Sequence, residues 1–314
     1  MAMGDKARNA PHWRPISRFP GNVDSPAPSA WVDVKVGACS RRGPSRAVND
    51  DHYLVVRLGR HQETILTSLP FGEVPSSFDE LGYGMVVADG MGQRAETASR
   101  LAIATLAHQM VHFGKWNLRV DEPVANEIID RAHRFFKNVD AALLDAANGN
   151  PAGLQTTLTA VFSAGSDLVF AYVGNSSVFM FRDGTLMPLT RDPSAAYPQP
   201  GPGTSADVAA GAPDPTYMES ETLGGAGLRR PRAGVERVGL LDGDLILLCT
   251  NGLTDVGEES QIAETLRLHS TPDDQSRALV DLAAGSGSHD DVTTVVAHYH
   301  IAAPPDADDP GRQA

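Results

Sequence analysis

The stretch TTLTAVFSAGSDLVFAYVGNSSVFMFRDGTL (156–186) decides the fold class. It holds three apolar β runs in quick succession: Thr156–Ser163, Asp167–Val173 and Val178–Arg182. The dipeptide Asp183-Gly184 has the composition of a tight hairpin turn, because both central positions of such a turn need positive φ. Strands joined this closely must pair antiparallel, since a parallel crossover needs a dozen or more residues.

Outward toward the N-terminus lie two helical patterns. Glu96–Phe113 places Ala, Leu, Ile and Met at helical spacing, and Glu122–Ala147 repeats Ile128, Ile129, Ala132, Phe135, Phe136, Val139 and Leu143 at steps of three and four. Asn148-Gly149-Asn150-Pro151 ends the second. Before them, Trp31–Ala38, Asp51–Leu58 and Gly84–Ala88 read as strands. Toward the C-terminus, Leu245–Thr250 reads as a buried strand, Glu258–His269 and Pro272–Ala284 as short helices, and Val292–Tyr299 as a last strand. The Pro/Gly/Ala-rich stretch 192–214 is expected to be a long surface loop. Hairpin-linked strands around two central helices predict an α+β layered domain rather than a βαβ dinucleotide fold.

The domain is expected over residues 31–301, between a Pro-rich tail (1–30) and a C-terminal tail (302–314). No repeat or linker divides it. The 314 residues carry a net charge of −13, which disfavours nucleic acid as a partner. Hydrophobic residues at 41% suffice for a core, and charged residues at 21% argue against a disordered chain. Only Cys39 and Cys249 are present, so a disulfide scaffold, a Cys-rich zinc module and an iron–sulfur protein are excluded. No apolar run reaches the about 18 residues of a membrane span, and the N-terminus lacks a secretory apolar region. The expectation is a soluble, cytoplasmic protein with no membrane partner.

Acidic residues recur where strands meet turns. Asp50 and Asp51 open a strand, Asp89 precedes Gly90-Met91-Gly92, and Asp290 with Asp291 precedes VTTVVAHY. Asn251 has the same placement after LILLCT. Carboxylates at strand ends can converge at one sheet edge, and hard divalent cations choose such oxygen ligands. Glycine after Asp89 would let the backbone carbonyl approach an ion.

The strings SRAVNDD (45–51), VVADGMG (86–92), LQTTLTAVF (154–162), YVGNSSVFMFRDGTLMPLT (172–190), GDLILLCTNGLTDV (243–256) and SHDDVTTVV (288–296) resemble, in order and spacing, the metal-dependent protein phosphatases of type 2C, the PPM family of protein Ser/Thr phosphatases, and most of all their compact bacterial branch. The resemblance implies two packed antiparallel sheets flanked by helices, an αββα sandwich, with a site for two Mn²⁺ or Mg²⁺ ions at one end. It implies Asp89 as the bridging carboxylate, Asp50 and the Gly90 carbonyl on one ion, and Asp290 with Asn251 on the other. Asp51 would order metal-bound water, and Arg46 would clamp phosphate oxygens with its planar fork. A water between the ions would attack phosphorus without a phosphoenzyme. The implied partner is a phosphorylated protein, in opposition to a Ser/Thr kinase.

The chain departs from that pattern. Asn251 and Asn175 stand where the family has aspartates associated with a third, weaker metal, so a third site is expected to be absent and the second ion's site weakened. Gln93 and Gln155 replace glycines. Met91 stands where some relatives carry histidine, and His289 reads as a loop residue. Two functions therefore compete: a working but slow or Mn²⁺-demanding phosphatase, and a phosphatase-like regulatory or binding module. A phosphoserine phosphatase of the partner-switching type is a third option, less well matched by Arg46 with Asn49-Asp50-Asp51.

Overall fold

The computed structural model describes residues 32–70, 74, 77–115, 122–150, 153–190, 222–225 and 230–301. The two tails and the 192–214 stretch lie outside the described residues. Among the described residues, eleven strands and five helices follow in order: β1 (Val32–Arg41), β2 (Asp51–Glu63), β3 (Ser77–Met91), α1 (Ala95–Phe113), α2 (Glu122–Ala146), β4 (Gln155–Thr156), β5 (Leu158–Ala164), β6 (Asp167–Val173), β7 (Ser177–Arg182), β8 (Thr185–Pro188), β9 (Gly234–Gly239), β10 (Leu245–Cys249), α3 (Asn251–Thr254), α4 (Glu259–Leu268), α5 (Pro272–Gly285) and β11 (Val292–Ile301).

One sheet runs β1-β11-β10-β7-β8 and the other β2-β3-β5-β6-β9, with β4 on the end of β3. Every pairing is antiparallel. The sheets face each other across a core of Met85, Val87, Val161, Phe170, Met180, Ile246, Leu248, Val295 and Tyr299. The opposite face of the second sheet packs on α1 and α2 through Val86, Ala88, Ala102, Leu106, Phe136 and Leu143. That of the first sheet packs on α3, α4 and α5 through Leu247, Cys249, Leu253, Ile262 and Leu279. Helices on both outer faces explain why LILLC (245–249) is apolar at every position: neighbouring residues enter different cores.

The turns follow local chemistry. Asp183 and Gly184 both adopt positive φ, 51° and 80°, as a primed hairpin turn demands. Asn148 and Gly149, at φ 50° and 79°, end α2. Thr271 caps α5 by accepting the Asp274 amide at 3.1 Å, with Pro272 at the first helical position.

Several boundaries differ from the expectation. β2 and β3 form a longer hairpin, pairing from Asp51↔Asp89 out to Glu63↔Ser77. The expected strand ended at Leu58, where Arg60, His61, Gln62 and Glu63 interrupt the apolar run. β2 is an edge strand, so its backbone ladder continues while these side chains remain exposed. Thr157 separates β4 from β5, which the sequence joined. β9 and the four-residue α3 carried no periodic signal. Cys249 is buried, and burial pushes its thiol up to about 12; Cys39 is only partly buried.

Candidate metal centre

The site forms where one end of each sheet meets the other. Asp51 opens β2 and Asp89 lies near the end of β3, and the two are direct cross-strand partners. Both are nearly buried, at 4% and 6% exposure. Asp51 reaches across to the other sheet, where Thr250, at the end of β10, donates its hydroxyl to Asp51 Oδ2 at 2.8 Å. The Thr250 hydroxyl in turn accepts the Thr293 amide of β11 at 3.0 Å. Asp89 is fixed through its backbone: its amide donates to Thr157 Oγ1 at 2.9 Å, and its carbonyl accepts the Thr157 amide at 2.9 Å. Thr157 Oγ1 also lies 3.0 Å from Ser176 Oγ, which joins the β6–β7 turn to the site.

The segment before β2 is held by Asp291. Its Oδ1 accepts the Gly43 amide and its Oδ2 the Asp50 amide, both at 2.7 Å. Two amides, one buried and one part-buried, satisfied by one carboxylate fix the loop that carries Arg46 and Asp50. The Asp50 carbonyl accepts from Ser99 Oγ of α1 at 2.6 Å and from the Gly90 amide at 3.2 Å. Ser99 Oγ also lies 2.9 Å from His52 Nδ1. Arg46 sits between two acids, 2.5 Å from Asp290 Oδ1 and 3.6 Å from Asp50 Oδ2.

Two glycines are demanded by close packing. A Cβ on Gly90 would lie 2.0 Å from the Ala95 carbonyl oxygen, so α1 begins hard against it. A Cβ on Gly252 would lie 2.0 Å from the Asp291 carbonyl oxygen, which seats α3 and places Asn251 beside the Asp290–Asp291 loop. In this structure the close approach at Gly90 is to a helix.

The electrostatics are unfavourable to charge. Burial, opposed in part by the Thr250 and Thr293 hydrogen bonds and reinforced by Asp291 and Asp290, pushes Asp51 up to about 7. Burial and then the Asp51 carboxylate push Asp89 up to about 8. Burial also raises Asp50, with Asp291 adding to it and Arg46 opposing. Among the described residues, three buried side-chain oxygens have no hydrogen-bond partner: Asp51 Oδ1, Asn175 Oδ1 and Asn251 Oδ1. Asn251 Nδ2 donates to Asp255 Oδ2 at 3.0 Å.

Repelling buried carboxylates and orphaned oxygens are what a hard divalent cation would satisfy, and the donors are oxygen only, as Mg²⁺ or Mn²⁺ requires. The residues therefore fit such ions in kind. Among the described residues, however, no three His, Cys, Asp or Glu side chains are gathered around one point. Asp290 is instead turned to Arg46.

Of the residues singled out in the sequence, Asp50, Asp51, Asp89, Asp290 and Arg46 share one electrostatic neighbourhood. His289 is exposed in its loop, where its carbonyl accepts from Ser45 Oγ at 3.2 Å. Gln155 pairs with Met91 between β3 and β4. Sequence reasoning gave no role to Asp291, Thr250, Thr157 or Ser99. The doubled Asp290-Asp291 was visible, but the different work of its two members was not.

The chain belongs to the protein phosphatase 2C family, whose pattern it matches over residues 77–282. It is 31% identical over 223 residues to the serine/threonine protein phosphatase PstP of Mycobacterium tuberculosis, covering 68% of this chain and 40% of that protein. The chain thus spans about two fifths of the length of that relative. It is 26% identical over 217 residues to the serine/threonine phosphatase stp of Listeria monocytogenes, covering 68% and 82% respectively. The solved catalytic domain of PstP, in complex with 2 manganese ions, superposes with a TM-score of 0.61 at 25% identity, over 86% of this chain and 99% of that one. The S. agalactiae serine/threonine phosphatase, at 20% identity, shares the fold with a TM-score of 0.62, over 86% of this chain and 100% of that one.

Proposed function

We propose that this chain is a metal-dependent protein serine/threonine phosphatase that hydrolyses phosphoserine or phosphothreonine in a phosphorylated protein, in the cytoplasm and in opposition to a Ser/Thr kinase. The observation that carries this reading is the pair of opposed buried carboxylates, Asp51 and Asp89, beside Asp50, Asp290 and the Arg46 guanidinium. No structural need accounts for that much buried like charge, and membership of the family supplies one. Bound Mn²⁺ or Mg²⁺ would polarise the phosphoryl oxygens and make a water nucleophilic near neutral pH.

The chain's own residues divide the remaining work. Asp89 would serve both ions, Asp50 and the Gly90 carbonyl one of them, and Asp290 with Asn251 the other. Asp51, held by Thr250 with its second oxygen free, would accept a hydrogen bond from water and orient it. Arg46 would release Asp290 to the ions and present its fork to the phosphate oxygens. Asp291 would hold Arg46 and Asp50 in register.

Asn251 and Asn175 favour a second reading. Each offers one neutral oxygen where the family pattern has a charge, which weakens the second ion and leaves no third site. On that reading the chain binds phosphoproteins or regulates without turnover. The discriminating experiment is phosphate release from a phosphothreonine peptide with titrated Mn²⁺ and Mg²⁺. Metal-dependent release abolished by chelator supports the phosphatase; peptide binding with no release supports the module.

A further inference from the structure

The described part of the molecule contains a cavity of about 130 Å³ on the helix-covered face of the second sheet. Leu54, Val56 and Phe162 form its floor, and Met110 and Phe135 its roof. Gly84 keeps it open, because a Cβ there would lie 2.9 Å from Val56 Cγ2. The lining is apolar except at Arg131 and Lys115.

Arg131 is 9% exposed. Its Nη1 donates to the Lys115 carbonyl at 2.9 Å, a structural task at the end of α1. Its Nη2 has a different situation. It lies 3.0 Å from Glu127 Oε1 as an ion pair, and among the described residues it has no well-formed hydrogen bond. Glu127 is also shared, lying 2.6 Å from Lys115 Nζ. Among the described residues, two cations at this end of the cavity thus share one carboxylate, an excess of about one positive charge. Lys115 is largely exposed, so this end communicates with solvent. A buried guanidinium with an unused donor costs free energy that an anion would recover.

We propose that this cavity is a binding site for a small amphiphilic carboxylate, with a short apolar body among Met110, Phe135 and Phe162 and its carboxylate on Arg131 Nη2 and Lys115. The volume sets the body's size: cavities of about 150 Å³ accept benzene, so the occupant has about six carbons. The site lies behind the sheet that carries Asp51 and Asp89, and it does not rest on the phosphatase reading.

The test uses the full chain and three six-carbon probes, hexanoate, hexan-1-ol and hexylammonium, followed by calorimetry and thermal shift. Hexanoate is expected to saturate one site, at least about tenfold tighter than the alcohol, with hexylammonium weakest. Ala107→Leu, which fills the cavity from α1, should abolish hexanoate binding. Arg131→Met should bring hexanoate to the level of the alcohol. Should that variant fail to fold, Lys115→Gln, at an exposed position, should weaken hexanoate but not hexan-1-ol. Absence of saturable hexanoate binding means that the protein fills its own cavity, and overturns the proposal. Equal binding of hexanoate and hexylammonium, or hexanoate binding unchanged by Ala107→Leu, overturns it too.

Discussion

Asp51 and Asp89 face each other across the β2–β3 ladder, both more than nine-tenths buried, and the Asp51 carboxylate raises the affinity of Asp89 for a proton. At these two carboxylates the native chain without metal therefore binds more protons than the unfolded chain, from the ordinary carboxylate range up to about pH 8. Stability falls with rising pH wherever the native state binds more protons. This contribution is complete below the unfolded pKa and is lost as pH rises through 7 to 8. Urea melts of metal-free protein should show stability declining from pH 5 to pH 8, with a shallower decline in Asp89→Asn. Identical pH slopes in the two proteins would contradict the assignment.

Asp89→Asn should also be the most damaging single change for metal binding. One carboxylate serving two cations weakens both when lost. Calorimetry should show Mn²⁺ affinity lowered by about tenfold or more, with reduced stoichiometry. Unchanged affinity and stoichiometry would remove Asp89 from the site.

Arg46→Ala separates substrate from metal. The guanidinium now holds Asp290 at 2.5 Å, a contact that competes with any cation there. Its removal should raise KM for a phosphopeptide by about tenfold, as loss of a charge-assisted contact does, while Mn²⁺ affinity stays equal or tightens. Loss of metal instead of substrate affinity would assign Arg46 a different role.

Asn251→Asp should tighten the second ion. Asn251 Oδ1 is buried without a partner, so a carboxylate there would add charge at an oxygen already placed. The Mn²⁺ concentration for half-maximal activity should fall, and Asn175→Asp added to it should lower it further. Superimposable titrations of wild type, single and double variants would mean that Asn251 only turns the chain into α3.

Much of this was legible because the sequence repeats one signal: an acid where an apolar run meets a turn. That pattern located Asp89 and Asp290 at sheet ends before any coordinates. The Asp183-Gly184 turn and the limits of α1 and α2 were legible for the same local reason. β9 was not, since Gly234–Gly239 is half-buried along most of its length and shows no clean alternation. The far ends of β2 and β3 were hidden because an edge ladder tolerates charged side chains that interrupt a hydrophobic pattern. Asp291 was seen but not understood: its role lies in two amides some 240 residues away.

Asp291→Ala follows from that role. Removing the carboxylate strands the Gly43 and Asp50 amides, at about 1–3 kcal/mol for each unsatisfied group. Chemical denaturation should show a loss of about 2–4 kcal/mol, with Arg46 and Asp50 displaced. A loss well under 1 kcal/mol would mean that water replaces the carboxylate.

The central claim is hydrolysis driven by metal at the Asp89 site. The direct measurement is phosphate released from a phosphothreonine peptide by wild type and Asp89→Asn across a Mn²⁺ titration, before and after chelation. The account predicts release by wild type that rises with Mn²⁺, stops on chelation and is lost in Asp89→Asn. Release no greater than the blank at every Mn²⁺ concentration, or equal release by the two proteins, would contradict it.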